Sequence, residues 1–308
     1  MKNTFVGERA KADIDKRVER LLRGLGNPKP PINLVEVREL LHLDKSYYSG
    51  EDDGLLAETV NRLKLGGKQL LLRPSLLKDA IKKFDLRALY LPDRKRILLD
   101  QNVPVKKHRW LEAHEIIHDV VPWHSPVMLG DNDHTPTPNC TAKIEVEANY
   151  GAGQLLFPRG RFVADARAFS PGFEAVRKLY PVYGNTMTST FWRYVELVYP
   201  DVPMLGLITA HPHVLRRPTD FDLTKPCRYF IQSPLFASQF SAVAETEVFE
   251  EVSSYCGAQS GGPLGEGEIV LTDDNHDQHV FFFETFFNKH EALTLGRYLR
   301  KLSIVVAV

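Results

Sequence analysis

The sequence predicts an α+β fold built from several compact units, and three observations lead there. Helical stretches with apolar residues at three- and four-residue spacing dominate the first two thirds. A strand-like pair, Ala88–Leu91 and Arg96–Asp100, interrupts them. From about residue 226 the texture turns strand-like, with a Gly-rich link at 257–267. The expected division is a first domain over 1–165, a helical segment over 166–225 and a small α+β module over 226–308. A chain of 308 residues has room for it.

Taken in order, residues 8–24 place Ile14, Val18, Leu21 and Leu22 on one helical face, and glycines and prolines end that helix. A second helix, NLVEVRELLHL, opens at Asn33 with Glu36 in capping-box position. Residues 44–67 are polar and aperiodic, which reads as a surface loop leading into a short helix, and Lys68–Arg73 reads as a strand. The pair at 88–100, joined by a turn that proline opens, is a β-hairpin. A central helix runs from about Lys107 to Val121, stopped by Pro122; a third runs from about Thr141 to Phe157, closed by Pro158. Residues 172–199 give two helices joined through Pro181–Asn185, a helix-turn-helix in outline. Arg228–Phe240, Glu247–Tyr255, Glu268–Thr272 and His279–Phe287 read as strands, followed by a closing helix over 289–302.

Lys+Arg and Asp+Glu are both 39 and the pI is near 7.2. That balance argues against a general nucleic-acid or membrane-surface binder, either of which needs a basic excess. Hydrophobic content of 43% and charged content of 25% are ordinary for a soluble globular protein. The three cysteines, Cys140, Cys227 and Cys256, form no CxxC pair, so neither a zinc knuckle nor a disulfide framework is expected. No apolar leader or membrane-length run is present, and a cytoplasmic protein is expected.

Chemistry concentrates in the central helix, at His114-Glu115-Ile116-Ile117-His118. Histidines four apart project from one helical face and can reach one ion, and the glutamate between them sits where a carboxylate can take a proton from water. Catalytic zinc needs a third protein ligand and one open position. The candidates are Glu145 and Glu147, with His124 and His134 behind them. Glu145 shares a helical face with Asn149, which can orient a ligand by hydrogen bonding, whereas Glu147 points the other way; Glu145 is the choice. Asp119 follows the second histidine and is a further candidate to orient one. Tyr150, Tyr183, His211 and His213 are candidates for an additional oxyanion donor, each with a packing or surface role as the alternative. His276 and His279 read either as a second metal pair or as a polar turn between strands. The aromatic run Phe281, Phe282, Phe283, Phe286 and Phe287 reads as sheet core.

HEIIH followed by IEVEANYGAGQLLFP resembles the ImmA/IrrE family of metallo-endopeptidases. The matching positions on the second motif are Glu145, Ala148, Asn149, Ala152, Leu155, Leu156 and Pro158. Gly151 replaces the family's usual phenylalanine, which suggests close packing against the central helix, and Phe157 replaces a methionine. The resemblance covers roughly residues 8–200. It implies a zincin-like peptidase domain, zinc on His114, His118 and Glu145, and Glu115 as general base and acid. It also implies an edge strand beside the metal helix that pairs with extended substrate and a helix-turn-helix repressor as protein substrate, and some family members carry a GAF-like sensory module in place of the C-terminal α+β module. Cleavage would derepress stress, phage or mobile-element genes. Two histidines and a carboxylate suit zinc, with manganese or iron also compatible. Direct DNA binding is not expected, because Arg193 is the main basic residue of the second helix at 172–199. The alternatives are a regulatory sensor or DNA-binding protein with a structural metal site, and a component of a toxin–antitoxin module.

Overall fold

Ile14, Val18, Leu21 and Leu22 form one buried stripe along α1 (Glu8–Gly24), as their spacing predicts. The computed structural model describes residues 2–48, 88–125 and 138–302, and the expected strand Lys68–Arg73 lies outside them. The chain divides into two compact units: Phe5–Pro158 with Tyr183–Asn185, and Met1–Thr4 with Arg159–Val182 and Thr186–Val308.

In the first unit, Asn33 caps α2 (Leu34–Leu41) by accepting the Val35 N–H, while its amide donates to Glu36. Asp44–Tyr48, read from the sequence as loop, is strand β1; it lies parallel to β3 (Arg96–Asp100). The predicted hairpin is present, with β2 (Ala88–Leu91) antiparallel to β3. Among the described residues the sheet order is β1-β3-β2, so β2 is an outer strand. Ile97, Leu98 and Leu99 in the middle of the central strand are completely or nearly buried.

Helix α3 (Val105–Val120) carries the His-Glu-x-x-His motif and packs on β2, β3 and α4 (Pro138–Leu156). Ala113, Ile116 and Ile117 have no exposed surface. Glu112, also buried, receives Arg38 Nε at 2.6 Å and Lys45 Nζ at 2.9 Å, which ties α3 to α2 and β1. The two motif helices meet closely because of Gly151. A Cβ there would lie 2.6 Å from Ile117 Cγ2, so only glycine allows this approach. The close packing expected from that residue is present.

The second unit begins with α5 (Arg159–Arg167), α6 (Phe173–Tyr183, of which Tyr183 belongs to the first unit) and α7 (Met187–Leu197). Helix α6 continues through Pro181 to Tyr183, the last residue before the turn that leads to Thr186, the N-cap of α7. Arg193 is buried and pairs with Glu196 at 3.2 Å.

The remaining elements are β4 (Met204–Thr209), β5 (Cys227–Gln232), α8 (Pro234–Gln239), α9 (Glu245–Tyr255), β6 (Gly262–Thr272), β7 (Gln278–Phe287) and β8 (Ala292–Lys301). The sheet runs β5-β4-β8-β7-β6 with every pairing antiparallel. Phe281 and Phe283 sit in its core. Cys227 and Cys256 are free and buried.

Three expectations fail here for identifiable reasons. The closing helix over 289–302 is strand β8; it pairs with both β4 and β7, and Ala292–Leu295 are all buried. A run buried on both faces loses the alternation that marks a strand. The stretch Glu247–Tyr255 is part of helix α9, with Val248, Phe249 and Val252 buried at helical spacing. In Arg228–Phe240 the strand stops at Gln232; Ser233 caps α8 by accepting the Phe236 N–H, and Pro234 occupies its first turn. Among the described residues no helix is long and apolar enough to cross a membrane.

Candidate metal centre

Helix α3 presents His114 and His118 one turn apart, and α4 brings Glu145 to meet them. His114 Nε2 lies 3.0 Å from Glu145 Oε2 and 3.2 Å from His118 Nε2. His118 Nε2 lies 3.5 Å from Glu145 Oε1. These residues form a group that can hold a metal ion, and no second such group occurs among the described residues. Tetrahedral bonds of ~2.0–2.1 Å would hold ligand atoms about 3.3 Å apart, close to all three separations. His118 is only 2% exposed and Glu145 49%, so the site is closed behind the second histidine and open at the carboxylate.

The electrostatics favour a positive charge at this point. Burial opposes charge on His114, but its hydrogen bond to Glu145, with the charges of Glu115 and Glu145, holds its pKa above the usual value. Burial would raise the Glu145 pKa, yet the His114 hydrogen bond and the nearby histidines hold it below the ordinary range. Burial, with His114 beside it, pushes His118 down to about 3, so its ring is neutral.

Glu115 points away from solvent against β2. Burial pushes its pKa up to about 7, opposed by His114 and by a backbone hydrogen bond from Tyr90, and reinforced by Glu145. A carboxyl group in that range can both take and return a proton near neutrality.

Around these residues Asn149, Asp119, His124 and Glu147 each have a definite partner. Asn149 reaches His114 rather than Glu145, its Oδ1 accepting from Nδ1 at 3.1 Å, which orients the ring with Nε2 toward Glu145. Asp119 accepts from the Tyr90 hydroxyl and from Lys95 Nζ, and so clasps the hairpin to α3. His124 lies behind His118, Nδ1 to Nδ1 at 3.0 Å, and Glu147 lies behind His124 at 3.1 Å. Neither belongs to the ion-holding group. His134 lies outside the described residues.

The oxyanion candidates have other contacts. Tyr150 donates to Asp15 at 2.8 Å, and Tyr183 is buried and stacks on Phe157. His211 and His213 belong to the second unit, where His211 donates to the Gln259 carbonyl and His213 accepts the Leu215 N–H. His279 binds Asp273 at 3.0 Å and His276 takes a positive φ, as a turn between strands requires.

Two partnerships had only faint signals in the sequence. Glu145 and Glu147, two apart on a helix, must face different ways, so the second carboxylate was free to serve something other than the ion. Tyr90 and Lys95 flank the hairpin turn, and nothing in their spacing points to Asp119.

No family model and no curated protein matches this chain. Among solved structures, a Mycobacterium tuberculosis transcriptional regulator is similar over 96% of this chain and 92% of its own, at 12% identity and a TM-score of 0.48. A likeness that distant carries no argument about function.

Proposed function

We propose that the first unit is a zinc-dependent endopeptidase of zincin-like type, as the resemblance to the ImmA/IrrE family implies. One observation carries the reading: His114, His118 and Glu145 converge at separations of 3.0–3.5 Å with Glu115 beside them on the same helix. The donor set of two imidazoles and one carboxylate is that of a catalytic zinc site. Zinc held there would supply a Lewis acid that polarises the scissile carbonyl and acidifies water.

The protein's own residues account for the rest. The Glu115 carboxylate accepts the proton of the attacking water and passes it to the nitrogen of the departing amine. Asn149 fixes the His114 ring. Among the described residues β2 is an outer strand beside Glu115, and backbone pairing along its edge would orient an extended peptide substrate. A helix-turn-helix repressor is the proposed substrate, and the second unit would sense a signal or dock that partner.

The test is co-incubation of the full chain with the repressor encoded beside its gene, with and without zinc, followed by intact mass. Zinc-dependent cleavage at a defined bond is expected from the parent and not from Glu115→Gln. Equal biological activity of parent and Glu115→Gln would instead favour a regulator whose metal site is structural.

A further inference from the structure

We infer that His124 and Glu147 form a buried positioning relay that locks His118 in the tautomer able to bind a metal. This rests on the reading of His114, His118 and Glu145 as an ion site, and adds two residues that touch neither ion nor substrate.

The relay follows from who can donate. Trp123 Nε1, which can only donate, reaches Glu147 Oε2 at 2.6 Å. The same oxygen is 3.1 Å from His124 Nε2. Glu147 Oε2 is therefore an acceptor of two hydrogen bonds, and the His124 proton sits on Nε2. His124 has no exposed surface, an environment that favours the neutral ring. Its Nδ1 then holds a lone pair, 3.0 Å from His118 Nδ1. Two nitrogens at that distance need one proton between them, and only His118 can supply it. His118 is thus protonated on Nδ1, and its Nε2 lone pair faces Glu145 and His114.

Each ligand histidine is therefore fixed from behind by a different device. His114 has the amide oxygen of Asn149 on its own partner helix. His118 has a second histidine, oriented in turn by a carboxylate whose side chain is 3% exposed. Carboxylate–histidine contacts of this kind set the basicity and orientation of a ligand ring, and their loss costs roughly 10–100-fold in metal affinity.

Histidine-selective ¹⁵N NMR on the metal-free full chain reads the tautomer directly, with His118 assigned by the signal missing in His118→Gln. A pyrrole-type Nδ1 and a pyridine-type Nε2 are expected; the reverse pattern overturns the inference. Zinc affinity, measured by chelator competition, supplies the second readout. His124→Phe is expected to bind zinc roughly 10–100-fold more weakly. Glu147→Gln should stay within about threefold, because its amide oxygen can replace Oε2 toward both Trp123 and His124. A folded His124→Phe with parental zinc affinity overturns the inference. If His124→Phe does not fold, the parent's tautomer decides.

The outcomes separate the two claims. A parent that binds zinc with His118 in the reversed tautomer removes the relay and leaves the peptidase reading intact. A parent with the expected tautomer and zinc affinity but no proteolysis removes the peptidase reading and leaves the relay. A parent that binds no zinc removes both.

Discussion

His114 and Glu145 meet at 3.0 Å although they lie 31 residues apart and on different helices. The contact joins a half-buried histidine on α3 to a carboxylate at the open side of the site, so each α-helix contributes one wall. A ligand set split this way depends on how the helices pack as much as on the ligands themselves.

Glu115→Gln should leave zinc content unchanged and lower peptide cleavage by about 10²–10⁴-fold, the usual contribution of a positioned general base. Elemental analysis and a quenched-fluorescence peptide assay give the two quantities on one preparation. Loss of zinc along with activity would assign Glu115 to holding the ion instead.

Glu145→Gln keeps the shape of the third ligand but removes its charge. The variant should purify with much less than one zinc per chain, and its thermal midpoint should cease to rise when zinc is added, because an ion that no longer binds the folded state cannot stabilise it. A zinc-dependent midpoint shift equal to the parent's would show that the third ligand lies elsewhere.

Gly151→Val places a branched side chain where even a Cβ would sit 2.6 Å from Ile117 Cγ2. Overpacking typically costs about 1–3 kcal/mol, and the gain in helix propensity over glycine is below ~1 kcal/mol, so a net loss of stability is expected. Ile117→Ala in the same chain should recover part of that loss, giving a non-additive double-mutant cycle in urea denaturation. Strict additivity would mean the two residues do not press on each other.

The second unit carries a pH dependence of its own. Burial raises the Glu284 pKa above its ordinary value of 4.5, the Phe173 backbone hydrogen bond and Arg297 oppose this, and Glu266 across the strand pair adds to it. Its folded pKa exceeds its unfolded one, so its contribution is fully present below the unfolded pKa and is lost as pH rises through the folded value. Glu284→Gln, which can still accept the Phe173 N–H, should therefore gain on the parent as pH climbs above 4.5. Denaturation at a series of pH values reads the difference, and a constant gap across the series would contradict the assignment.

How far the sequence was legible depends on whether local spacing carried the information. His114 and His118 were readable from helical period, Glu145 from the face it shares with Asn149 together with the family resemblance, and the hairpin because a proline turn sits between two apolar runs. β8 was misread as a helix because a central strand buried on both sides has no alternation. α9 was misread because the run Val248, Phe249, Val252 is short and β-rich in composition. The contacts behind the ligands were out of reach for another reason. His118, His124 and Glu147 meet through a turn after Pro122 and a separate helix, and no period in the sequence encodes such a meeting.

The Gly151–Ile117 contact acts as a mechanical stop. It lies less than two turns from Glu145, so α4 cannot approach or withdraw from α3 without compressing or opening that contact. The gap between the ligand atoms is thereby gauged by protein packing before any ion arrives. A larger, oxygen-seeking ion such as calcium, which takes 6–8 oxygens at ~2.3–2.6 Å, would have to spread two helices that are already seated against each other. On the proposed reading the glycine would make the site a caliper, favouring ions by size as well as by chemistry.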